Sequence, residues 1–192
     1  MNFIYSRWYT ILLRVTDVIL LSILWAIVST PLITLYPSTI ALMETIKHWD
    51  DDGTTGRIWL NFFSSFKSEI KKKLLLSSIW LVVFVSIYLN YTLYFPTKNQ
   101  FDVLIVSLIF ISNLLSIMFF FVTSLVWSRS EIKITFKELF LKSLELITSR
   151  FFRTILVTVI TFFLIECTIT IPVISFLIGI PIALLAVILN SE

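Results

Sequence analysis

Glu166 is the residue best placed for chemistry, because it lies deep in a stretch otherwise free of charge. It follows Arg153 by 13 positions, and no charged side chain stands between them. On a helix that separation is about 20 Å, set against an apolar bilayer core of about 30 Å. A carboxylate at such depth either serves a pathway or finds a polar partner. Asn113, midway along another apolar run, and Asn90, near the end of a third, are candidate partners. Thr161, Thr168 and Thr170 add hydroxyls to the Glu166 segment. The plainer alternative sets Glu166 near enough to the far face to be wetted or protonated.

Other chemistry is sparse. Asp17 stands two residues into its apolar run, where an interfacial location explains it. His48 is the only histidine, and Cys167, the only cysteine, falls in an apolar run. No intrachain disulfide is possible, and a lone His without Cys or His partners cannot form a zinc site of the usual kind. The acidic run Asp50-Asp51-Asp52-Gly53 lacks the alternating spacing of a calcium loop and reads as a solvated turn. There is no phosphate-cradling Gly loop, G-x-S-x-G, H-E-x-x-H or C-x-x-C. A non-enzymatic protein is therefore expected, with no cofactor, no metal and no catalytic residue.

These residues must be positioned by elements suited to lipid. Hydrophobic residues make up 58% of the chain and charged residues 14%, against roughly 45–50% and 25% in soluble domains. The run 74–95 holds 22 residues without a charge, enough for a helix to cross a bilayer. The pattern predicts an all-α transmembrane bundle, one unit over 1–192, with five spans at about 15–36, 74–95, 102–127, 151–171 and 173–189. Pro96 to Gln100 would join the second and third as a hairpin, and Pro172 would split the last two. The net charge of +3 lies mostly beside apolar runs, which suits anionic headgroups and not nucleic acid. Lys and Arg concentrate in the links 37–73 and 128–153, so these belong in the cytoplasm of a multi-pass cell-membrane protein. Five spans then set the N-terminus outside and the C-terminus inside, which leaves Arg7 and Arg14 on the wrong side.

Both basic links carry an amphipathic stripe. Trp59, Phe62, Phe63, Phe66 and Ile70 fall on one helical face, as do Phe136, Leu139, Phe140, Ser143 and Ile147. Two interfacial helices are expected, their rings at the acyl boundary or packed on the spans. The stripes match at an offset of 77 (Trp59 with Phe136, Phe63 with Phe140, Lys73 with Arg150), which suggests a duplicated unit of amphipathic helix and hairpin.

Pro31 and Pro37 close the first apolar run, and Ser38 or Thr39 can cap a short helix running to about Trp49. Backbone freed by proline cannot face lipid unpaired, so Pro31, Pro37 and Ser38 should form a re-entrant or interfacial elbow against the Trp59–Phe66 stripe.

Asp17, then Leu24-Trp25, the run T-P-L-I-T at 30–34 and P-S-T-I-A-L at 37–42 resemble the YesL-like family of small bacterial integral membrane proteins. Phe63-x-x-Phe66-Lys67 before a span fits the same family, in which an Asn often stands where this chain has Ser22. The family is uncharacterised and frequently encoded beside sugar-uptake and polysaccharide-degradation genes. The resemblance thus implies an accessory role in carbohydrate uptake or utilisation, with the bilayer and a membrane transport complex as partners. The competing expectation is a small transporter or channel with Glu166 in its pathway.

Overall fold

The computed structural model describes residues 3–52, 58–94, 100–130 and 134–170. Among these residues the chain is helical and has no strand. The helices are α1 (Phe3–Ser29), α2 (Leu35–Asp52), α3 (Ile58–Lys67), α4 (Ile70–Tyr94), α5 (Gln100–Arg129), α6 (Phe136–Ser149) and α7 (Phe151–Thr170), with a 3₁₀ turn at Leu32–Thr34. Two are long and apolar enough to cross a membrane, over Ile70–Leu89 and Val103–Arg129. Val15–Ser29 and Phe151–Ile160 are shorter apolar helices. The expected fifth span, 173–189, the Pro172 break and the Pro96–Asn99 link lie outside the described residues.

The apolar run 15–36 does not form one helix. Pro31 has no N–H to continue α1 and holds the chain extended (φ −73°, ψ 114°). The indole Nε1 of Trp25 donates to Thr39 Oγ1 at 3.1 Å. Fourteen residues of straight helix would separate these two by about 21 Å, so α2 must run back antiparallel along α1. The tip satisfies its own backbone. Ala26 O accepts from Ser29 Oγ and Thr30 Oγ1, both at 3.2 Å. Thr34 Oγ1 bonds to Val28 O and to Pro31 O. Hydroxyls of the S-T-P-L-I-T segment thereby meet the orphan carbonyls of the α1 C-terminus, a task expected of the Trp59–Phe66 stripe.

Ser38 does not cap α2. The helix already starts at Leu35, and the Ser38 hydroxyl donates back to Leu35 O at 2.9 Å. Pro37 is accommodated in the first turn, where its missing N–H is no loss. Likewise Asp50, Asp51 and Asp52 are the last residues of α2 and not a turn.

Helix α2 is the hub of the fold, packing against α1, α3, α4 and α5. Every residue from Tyr36 to Ile46 except Glu44 is buried. Yet α2 carries Glu44, Lys47 and three aspartates, whereas α5 has no charge from Val103 to Ser128. In α5, Met118 and all of Phe120–Ser128 are buried, but none of residues 103–117 is. The ring contacts fix the level of that boundary. Phe120 lies 5.5 Å from Tyr36, 5.3 Å from Trp80 and 5.5 Å from Phe84 between ring centroids. The α1–α2 hairpin therefore covers only the half of the α4–α5 pair nearest Ile70 and Arg129.

The expected stripe from Trp59 to Ile70 is interrupted. Helix α3 ends at Lys67, and Glu69 takes a left-handed conformation (φ 48°) before α4 begins at Ile70. Phe62 is fully buried while Trp59 and Phe63 face outward. The second stripe stays within α6, burying Leu139 and Ser143 and exposing Phe136 and Phe140.

Candidate functional site

The polar groups brought together in the interior centre on α2. Lys73, in the first turn of α4, is fully buried. Its ammonium donates to Ser65 O at 2.8 Å and reaches the Glu44 carboxylate at 3.4 and 3.5 Å. Ser65 is in the last turn of α3, where helix geometry leaves carbonyls without intrahelical donors and the dipole favours a cation. One side chain thus ties the end of α3 to α4 and, through Glu44, to α2. The Glu44 side chain keeps 20% exposure, so the pair is buried at its cation and wetted at its anion.

Further along α2, Thr39 accepts from Trp25 while its own hydroxyl donates to Leu35 O at 2.8 Å. The Tyr36 hydroxyl lies among the hydroxyls of Thr123 and Ser124 on α5, but all three are not joined. Thr123 and Ser124 donate to Phe120 O at 2.9 and 2.8 Å, and Tyr36 Oη makes no bond of good geometry. Asp17, expected near an interface, is only 5% exposed among the helices, and its Oδ2 has no partner. These groups make a polar seam through the hub that holds helices in register. Neither nucleophile nor general base is paired along it.

Of the residues singled out in the sequence, Asn113 is half-buried on α5. Asn90 lies on α4 and Glu166 on α7, and their side chains fall outside the described set, as do those of His48 and Cys167. Arg150 and Val126 border one groove, and α7 packs on α5, so these two helices run antiparallel. Glu166 and Asn113 then stand at the same level, each about 23 Å from the groove end of its helix. Pro31 is exposed at the tip, and Pro37 and Ser38 are buried. Among the described residues no three His, Cys, Asp or Glu side chains group to hold a metal.

Glu44 and Lys73 were missed as a pair because they stand 29 positions apart. The signal available was faint: Lys73 is the one member of a basic triplet, Lys71-Lys72-Lys73, that abuts the uncharged run.

A protein whose described residues are all-helical, with two bilayer-length apolar helices, is the class these observations define. Within it, the profile of a family described as "Protein of unknown function, DUF624" matches residues 18–91. The matched part covers the C-terminal part of α1, the hub helix, α3 and most of α4, and so includes Trp25, Thr39, Glu44 and Lys73. It is compatible with the YesL-like resemblance. Neither the curated proteins nor the solved structures provide a match.

Proposed function

We propose that the protein is a polytopic, non-enzymatic membrane protein in which the α1–α2 hairpin re-enters the bilayer and leaves it on the side it came from. The observation that carries this reading is the inversion of burial. The least apolar long helix, α2, is enclosed, while Val103, Leu104 and Leu108 on uncharged α5 are each at least 65% exposed. In water that arrangement is costly; in lipid, where polar backbone and side chains must be satisfied internally, it is the stable one.

This topology also revises the expected orientation. With a re-entrant hairpin, Arg7, Arg14, Lys47, Lys67, Lys71, Lys72 and Arg129 share one side, and only Lys98 is left for the other. The N-terminus is then cytoplasmic, and Arg7 and Arg14 obey the positive-inside rule. In a Cys167→Ser background, Lys98→Cys should react with an impermeant thiol reagent in intact cells. Arg7→Cys should react only after permeabilisation. Labelling of Arg7→Cys from outside would mean that α1 crosses, and the hairpin reading would fall.

For activity, the reading is an accessory component of a carbohydrate uptake or utilisation system, supported by the family resemblance alone. Pull-down from native membranes should recover a transport protein, and proteoliposomes should show no flux. The second reading, a small transporter, is favoured by Glu166 standing level with Asn113. Substrate flux abolished by Glu166→Gln would decide for it.

A further inference from the structure

We infer that the groove between the end of α5, α6 and the start of α7 binds the phosphate headgroup of an anionic phospholipid; this rests on the membrane reading above. The groove has a volume of about 680 Å³, within the range of small-ligand sites. Arg129, Lys142 and Arg150 border it together with Glu138 and Glu145. One of the two carboxylates, Glu138, already accepts the Thr135 N–H on Oε2 at 3.0 Å. An adjoining cleft shares Ser149 and Arg150 and adds Arg153. Among the described residues, four cations therefore converge with two carboxylates, from three elements, at the level where α5 ends and α7 begins.

Arginine forks suit phosphate oxygens, and a surplus of positive charge selects anionic over zwitterionic headgroups. The rim decides between lipid and soluble phosphate. Phe152 is 85% exposed, beside exposed Phe151, and Phe140, Leu141 and Leu144 line the outer face of α6. A free anion has no use for that apolar border, whereas acyl chains leaving the headgroup would lie on it.

Native mass spectrometry of the full chain in detergent tests this, with phosphatidylglycerol, phosphatidylcholine and inorganic phosphate as probes. Phosphatidylglycerol should be retained about tenfold more tightly than phosphatidylcholine, a difference of about 1.4 kcal/mol. R129Q/R150Q should remove most of that preference. K71Q/K137Q, which loses the same charge away from the groove, should keep it. Should R129Q/R150Q fail to fold, K142E on the exposed face of α6 carries the same expectation. Equal binding of the two lipids, equal loss in the control variant or displacement of the lipid by phosphate would each overturn the inference. So would an acidic protein held by the same arginines in place of lipid. A chain recovered from cells without detergent would instead sink the membrane reading itself.

Discussion

Phe62 in α3 and Leu139 in α6 are both buried, while Trp59 and Phe63 in one helix and Phe136 and Phe140 in the other face outward. The two helices match at the same offset of 77. The helices that follow do not, because α6 is 14 residues long and α3 is 10. Helix α7 begins 81 positions after α4, so Lys73 aligns with Thr154 and not with Arg150, and Ser77 aligns with Thr158. All four are buried. Thr154 and Thr158 satisfy themselves locally, donating to the carbonyls of Arg150 and Thr154 at 2.7 Å. Lys73 instead reaches across to α3 and α2. The comparison teaches that the buried place one turn into the helix after each amphipathic helix holds a cation in one case and a self-satisfied hydroxyl in the other. The cation occurs where the α1–α2 hairpin supplies Glu44.

Lys73→Thr makes the first unit resemble the second and should have the largest effect. It removes the donor to Ser65 O and takes the buried ammonium away from Glu44. Breaking a buried pair costs 3–5 kcal/mol, and the partial wetting of Glu44 places this case near the lower end, about 3 kcal/mol. Thermal unfolding in detergent should fall by about 6–12 °C. An unchanged melting temperature would show that the two units are interchangeable here.

Thr34→Val attacks the hairpin that covers only the first unit. It removes one hydroxyl that serves Val28 O and Pro31 O, at a cost of about 2 kcal/mol. The loss should appear as faster proteolysis within α2 and should leave the α6–α7 unit intact. Simultaneous loosening of both units would break the comparison.

Glu138 distinguishes the second unit, since its carboxylate accepts the Thr135 N–H at the start of α6. That bond, with Thr135 the main influence, holds the carboxyl below its ordinary value of 4.5. A depressed folded-state value means the stabilisation is present above pH 4.5 and is lost as pH falls through the folded value. The wild-type melting temperature should therefore decline on acidification below pH 4.5 more than that of Glu138→Gln, whose amide oxygen accepts at any pH. Equal acid profiles would remove the capping contact from the account.

Glu69→Gly should have the smallest effect and the opposite sign. A non-glycine residue in the left-handed region costs roughly 1–2 kcal/mol. Glycine relieves this but loses the partly exposed pair with Lys72 at 3.2 Å, worth about 0–1 kcal/mol. The net expectation is a rise in melting temperature equivalent to at most about 1 kcal/mol.

Much of the fold is legible because lipid imposes a coarse pattern. Uncharged runs mark α4 and α5, and aromatic stripes mark α3 and α6. Pro31 marks the turn. The hub was harder to see, since α2 carries a proline, hydroxyls and five charged residues, which read as a re-entrant or interfacial elbow and not as the centre of the bundle. In a membrane bundle the enclosed helix is free to be polar, and only pairings such as Trp25 with Thr39 and Glu44 with Lys73 reveal it. The same holds for Asp17, whose nearness to the start of an apolar run says nothing about the helix that folds back over it. The break at Glu69 is invisible for a local reason: its left-handed backbone is carried by a residue that carries no turn signal.

The hairpin's short reach has a mechanical consequence for the surrounding bilayer. Among the described residues, seven helices crowd the end of the molecule where α5 terminates, but only α4, α5 and α7 extend toward the other. With the hairpin re-entrant as proposed, the two leaflets would yield unequal areas to the same protein. Such an inclusion would sit most easily where the membrane already curves, and its exposed tip at Leu32 and Ile33 would press on acyl chains of one leaflet only.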